Sequence, residues 1–193
     1  MTEDFVLDLQ RMFEHACEFS DCARFCEVES NSIEYRMRTH TVSGIVNSVF
    51  ACEMFIKTLL VFHGRTITEI KEYQLKKLWE EFKKEDYDTA FWIEERIRER
   101  FQAEGDNIFN RLISEVSDAF ECWRYGYERQ EATININFLM GFRIMLRETC
   151  CNQLFGKPWC EYENVVNDKE TLLGEGIEGY EKYAFERIFC LGY

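Results

Sequence analysis

The sequence predicts an all-α protein, an up-and-down bundle of about five to six helices, and three observations carry that expectation. Pro158 is the only proline among 193 residues, where average usage near 5% would give about ten. A chain that nearly avoids the residue that breaks helices is built mostly of helix. Apolar residues make up 46% and aromatics 16%, enough for one sizeable core. Several stretches also carry apolar residues at three- and four-residue steps, the spacing of an amphipathic helix.

The first such stretch opens at Thr2, a candidate N-cap with Glu3 and Asp4 in the first turn, and runs to about Glu29. Phe5, Leu9, Met12, Phe13, Ala16 and Ala23 form its stripe, and Ser30, Asn31 and Ser32 are expected to end it. Residues 43–62 are apolar on almost every face, which places that helix at the centre of the bundle. Gly64 is its expected C-cap. A helix over 73–84 should bury Leu75, Leu78, Trp79 and Phe82. The next starts at Asp86/Asp88 and should bury Phe91, Ile93, Ile97 and Phe101, with Gly105 and Asp106 supplying a stop and a new cap.

Ile108, Leu112, Val116, Phe120, Trp123 and Tyr127 then descend one side of a regular helix. The string from Thr133 to Phe138 alternates as a short strand would. Leu139, Phe142, Met145, Leu146 and Thr149 restore helical spacing, and 132–154 reads as helix. Residues 156–193 hold half of the ten glycines and the proline, and form a C-terminal extension to a 1–155 bundle. The extension starts as an irregular stretch, and Tyr180, Tyr183, Ala184 and Ile188 mark a short terminal helix.

Charge and motifs narrow the function. A formal charge of −13 disfavours a broad polyanion-binding surface, because affinity for phosphate backbones comes largely from Lys and Arg. The N-terminus is acidic and polar, so a cytoplasmic setting with reduced thiols is expected for the nine cysteines. Cys17, Cys22 and Cys26 with His15 match no standard zinc spacing, and no metal or cofactor is expected. No membrane span is expected either, since the longest uncharged run, Thr39 to Cys52, falls short of ~18 residues. Walker, nucleophile-elbow, zinc-protease and dinucleotide motifs are absent, and His15, His40 and His63 are scattered.

Two opposite-charge pairs stand out. Glu53 and Lys57 lie one turn apart on the most apolar helix, and charges there need partners. Arg124 and Glu128 share a face within Trp123-Arg124-Tyr125-Gly126-Tyr127-Glu128. Arginine between aromatic rings can stack on a base or hold a phosphate, and it can equally brace a bundle. Cross-pairing of Glu53 with Arg124 and of Lys57 with Glu128 is expected, which makes Glu53, Lys57, Arg124, Tyr127 and Glu128 the candidate polar cluster.

These residues also carry a family resemblance. Asn47-Ser48-Val49-Phe50-Ala51-Cys52-Glu53-Met54-Phe55-Ile56-Lys57-Thr58-Leu59-Leu60 resembles the second helix of bacterial HEPN-like domains. Leu75-Lys76-Lys77-Leu78-Trp79 resembles their next helix, and Phe120 to Glu128 a later signature, so that residues 43–146 are covered. The resemblance implies an up-and-down bundle that dimerises and is linked to RNA, nucleotides, or defence and toxin–antitoxin systems. In nuclease members an Arg and a His separated by four to six residues supply the catalytic motif. Here Arg124 is followed by Tyr125, Gly126, Tyr127, Glu128, Arg129 and Gln130, with no His at the required distance. Arg36 and His40 are one residue too close, and Tyr73-Gln74 stands where relatives carry a His before the Leu-Lys-Lys-Leu block. The base that would activate a ribose hydroxyl is missing from its place. The expectation is therefore a non-catalytic binding or scaffold module, probing RNA, a nucleotide or a protein partner. The alternative is a degenerate ribonuclease using Arg124 with Glu53 and Tyr127.

Overall fold

The computed structural model describes residues 3–32, 37–70, 74–101, 107–124 and 134–166. These form seven helices and no strand: α1 (Glu3–Ser32), α2 (Met37–Phe62), α3 (Leu75–Glu85), α4 (Tyr87–Arg100), α5 (Ile108–Arg124), α6 (Ile136–Phe155) and α7 (Trp159–Val166). The protein is an all-α helical bundle, as expected, with seven helices among the described residues where five to six were expected.

α1 buries Leu9, Phe13, Ala16, Ser20 and Ala23, one stripe along its inner side. It continues through Ser32, past the expected break at Ser30, because neither Gly nor Pro interrupts it there. The proposed cap Thr2 lies outside the described residues. α2 begins six residues earlier than the 43–62 expectation and lies against α1, α3, α5 and α6. Phe13 meets Phe55, Phe19 meets Phe50, and Gly44 meets Ala23 and Cys26, so α1 and α2 run antiparallel. A Cβ at Gly44 would stand 3.2 Å from that of Cys26, which explains the small residue at this crossing.

α2 stops as the sequence indicates. Gly64 takes a left-handed φ of 97°, with Gly64 N–H bonded to the Val61 carbonyl and Arg65 N–H to that of Leu60. Those two bonds are a Schellman motif.

Leu75, Leu78, Trp79 and Phe82 of α3 are buried as expected. Asp86 ends α3 and caps α4 by accepting from Thr89 N–H. The inner stripe of α4 is Ala90, Ile93 and Ile97. Phe91 is not part of it. One residue on from Ala90 turns its side chain about 100° away, and Phe91 is 45% exposed and stacks on Tyr87. On α5, Ile108, Phe109, Leu112, Ile113 and Val116 are buried. Gly105, Asp106 and Tyr127 lie outside the described residues, as do the side chains of Phe120 and Trp123.

α6 resolves the ambiguity at 133–138 in favour of helix. Asn135 caps it by accepting from Phe138 N–H, and Gly156 closes it at a φ of 64°. Ser48 touches Arg143 and Phe55 touches Cys150, so α2 and α6 run parallel at the heart of the bundle. Trp79, Phe82, Phe109, Phe138 and Phe142 form one aromatic cluster between α3, α5 and α6. A second gathers Phe55, Phe155, Trp159 and Tyr162 around Phe13.

α7 corrects the expectation of an irregular stretch after Gly156. Pro158 precedes its first turn and accepts from the N–H groups of Glu161 and Tyr162. The expected terminal helix at Tyr180–Ile188 lies outside the described residues. Among the described residues, Thr41–Phe62 is long and apolar enough by length and composition to span a membrane, with a mean hydropathy of 1.7. The uncharged run seemed too short only because Glu53 and Lys57 interrupt the helix. Two-thirds of this stretch is buried inside the bundle, as suits a core helix.

Candidate functional site

Of the expected polar cluster, the structure shows the α2 half. Lys57 Nζ lies 2.7 Å from Glu53 Oε1, with the two side chains 14% and 8% exposed. Each of these two charges in the apolar stretch of α2 is thus matched by the other one turn away, the arrangement the desolvation cost requires. Arg124 is the last residue of α5. Its side chain, together with Tyr127 and Glu128, lies outside the described residues, as do the cross-pairings expected of them.

A second ion pair was missed by the sequence reading. Arg143 of α6 is 1% exposed, and its two terminal nitrogens reach the two carboxylate oxygens of Glu27 on α1 at 2.9 Å each. Nη1 also donates to Ser48 Oγ of α2 at 2.6 Å. The fork ties three helices together, using the planar geometry that distinguishes Arg from Lys. One turn on, Arg147 lays its guanidinium 4.3 Å from the ring centre of Trp159, while Glu148 accepts from the backbone N–H of Trp159. Two arginines within the apolar run of α6 were the available signal, since charge in such a run must be paired.

The third cluster joins the ends of α2 and α6 to the start of α4. His63 Nε2 lies 3.1 Å from Gln153 Oε1 and 3.3 Å from Asp86 Oδ2. Gln153 Nε2 donates to Asp86 Oδ2 at 2.7 Å and to Thr89 Oγ1 at 3.3 Å. Both neighbours of His63 Nε2 are acceptors, so that nitrogen carries the ring proton. Burial pushes the Asp86 carboxyl up, but the hydroxyl and N–H of Thr89, the Gln153 amide and nearby His63 outweigh it and hold the group below the ordinary carboxylate range.

A carboxylate lowered on folding stabilises the native state above the ordinary Asp range, and that contribution fades as pH falls through the folded value. Asp86→Asn should cost about 1 kcal/mol near neutrality, because an amide nitrogen in place of Oδ2 cannot accept from Gln153 Nε2. It should also flatten the acid side of a stability–pH curve from urea unfolding. Equal losses by wild type and variant on acidification would rule out this role for Asp86.

Beside this cluster lies an open groove of about 360 Å³ between α4 and α6, lined by Asp88, Thr89, Trp92, Thr149, Asn152 and Gln153. His63 does not line it, and the His63–Asp86 pair, bonded to Gln153 and Thr89 within the bundle, reads as a brace. Trp92 is 50% exposed, and with Phe91 and Tyr87 gives α4 an aromatic outer surface.

The described thiols differ in burial. Burial pushes Cys52 and Cys151 up to about 12 and Cys150 well above its usual value, which keeps all three protonated and unreactive. Cys22 and Cys160 are exposed, and Cys17 and Cys26 are half-buried. The described residues contain no group of three or more metal-ligating side chains.

Comparison with protein families, with curated proteins and with solved structures finds no match to this chain.

Proposed function

We propose that this chain is a non-catalytic helical interaction module of the HEPN-like kind, cytoplasmic, homodimeric and belonging to a defence or toxin–antitoxin type of system. The observation that carries the non-catalytic reading is the Glu53–Lys57 pair. The two charges are buried together and bonded to each other, as a brace requires, where a binding or catalytic role would turn them toward a cleft. The exposed aromatics Tyr87, Phe91 and Trp92 supply the kind of surface through which such a module meets a partner.

RNA or nucleotide binding is the second reading. It is favoured by Arg124 standing among Trp123, Tyr125 and Tyr127, since arginine and aromatic side chains together stack on bases. One experiment separates the readings. Wild type and Arg124→Ala are incubated with a labelled single-stranded RNA in the presence of EDTA, and the same RNA and free nucleotides are titrated into both. The interaction-module reading expects no cleavage and no difference in binding between them. Cleavage that disappears in Arg124→Ala would instead establish a ribonuclease that uses Arg124, the reading in which Glu53 and Tyr127 assist it. Binding that disappears would establish the RNA or nucleotide module. Light scattering on the same samples should give the mass of a dimer.

A further inference from the structure

We propose that the α4–α6 groove is a docking site for a basic segment of a partner protein, with one arginine side chain seated against Trp92 and Asp88. The inference rests on the interaction-module reading and assigns that module a contact point and a chemistry.

The hydrogen-bonding state of the lining indicates the charge of the occupant. The Asp88 carboxylate meets no donor among the described residues, and it stands at the exposed first turn of α4. Asn152 spends its amide N–H groups on the Glu148 carbonyl and carboxylate, which leaves its Oδ1 for a donor from outside. Thr89 Oγ1 is held by Gln153, and the Gln153 amide is itself fully engaged by Asp86, Thr89 and His63. The groove therefore offers a carboxylate, an amide oxygen and an indole face over a floor fixed by internal bonds. Acceptors plus the negative face of a π-system fit a cation with several N–H donors. A planar guanidinium meets that description better than an ammonium, because it can stack and donate in-plane at once.

The protein already shows its α4 rings holding cations. Arg96 places its guanidinium carbon 5.7 Å from the Trp92 ring centre without itself lining the groove. Lys83 lies 5.9 Å from the Tyr87 centre in the same manner. Two features favour a protein segment over a small free cation. The groove is open and shallow, and so suited to a side chain presented from another surface. The stacked Tyr87–Phe91 pair on the same helix offers apolar contact to neighbouring residues of a segment. The formal charge of −13 draws basic partners toward the chain.

The test is a titration followed by ¹⁵N NMR, read at the Trp92 indole N–H and the Asn152 side-chain amide. Three probes are used: a short glycine-rich peptide centred on one arginine and flanked by two leucines, N-acetyl-arginine amide, and the same peptide with citrulline in place of arginine. Citrulline keeps the shape and removes the charge. The arginine peptide should give saturable shifts at both positions, with citrulline weaker by about tenfold, the size of one charge-assisted hydrogen bond. Asp88→Asn and Trp92→Ala, each checked for an unchanged far-UV spectrum, should weaken the arginine peptide by a similar factor.

Equal shifts with citrulline, or shifts that ignore both variants, would overturn the proposal. Equal affinity for N-acetyl-arginine amide and the peptide would make the occupant a small cation instead. A dimer that becomes a monomer in Trp92→Ala would give the face to a second copy of the chain. A failed titration leaves the RNA result standing by itself, so the loss of this site and the loss of the module reading are separate outcomes.

Discussion

Glu27→Ala is expected to destabilise the protein by about 3–5 kcal/mol, the cost of leaving a buried charge without its partner. Arg143 is almost wholly enclosed, and Glu27 supplies both acceptors for its terminal nitrogens. Ser48 alone cannot neutralise the guanidinium that remains. The instructive comparison is the double variant Glu27→Leu with Arg143→Met. Removing both charges removes their desolvation cost together, so the double variant should recover most of what Glu27→Ala loses. Equilibrium urea unfolding of the three proteins decides the matter. A loss below about 1 kcal/mol in Glu27→Ala would mean that the pair behaves as an exposed surface bridge.

Phe13→Ala comes second, with an expected loss of about 3–5 kcal/mol for an enclosed aromatic. Phe13 is fully buried, and its ring contacts Phe55 of α2, Phe155 of α6, and Trp159 and Tyr162 of α7. The variant should do more than lower overall stability. Trp159 and Tyr162 lose a shared neighbour, so hydrogen exchange within α7 should accelerate more than in the Trp79 cluster. Uniform acceleration across the chain would show instead that α7 is secured elsewhere.

The two predictions differ in how far the sequence announced them. Phe13 sits on a stripe that helical periodicity identifies, and its burial was legible, as were the all-round apolar character of α2, its Gly64 stop and the Asp86 cap. Periodicity says which face of a helix turns inward, but not which residue waits there. Glu27 and Arg143 are separated by 116 positions, and only the packing of α1 against α6 brings them together. Phe91 shows the same limit at shorter range. Its aromatic character suggested burial, while the inner face of α4 was already filled by Ala90, Ile93 and Ile97. The candidate site was half legible. Glu53 and Lys57 pair within one helix, where spacing fixes the geometry, whereas the groove needs α4 and α6 side by side and has no signature along the chain.

The placement of α7 has a consequence for synthesis of the chain. Residue 13 is made early, but part of the aromatic shell around it comes from residues 159 and 162, close to the last described position. As the chain leaves the ribosome, α1 and α2 can form their hairpin long before that shell exists. Until α7 emerges, one side of the Phe13 ring lacks its final cover, and a nascent bundle complete through α6 still carries an unsealed apolar patch. A transcript truncated ahead of codon 159 would therefore yield a sticky product for chaperones and proteases to sort, even though six of the seven described helices had been made.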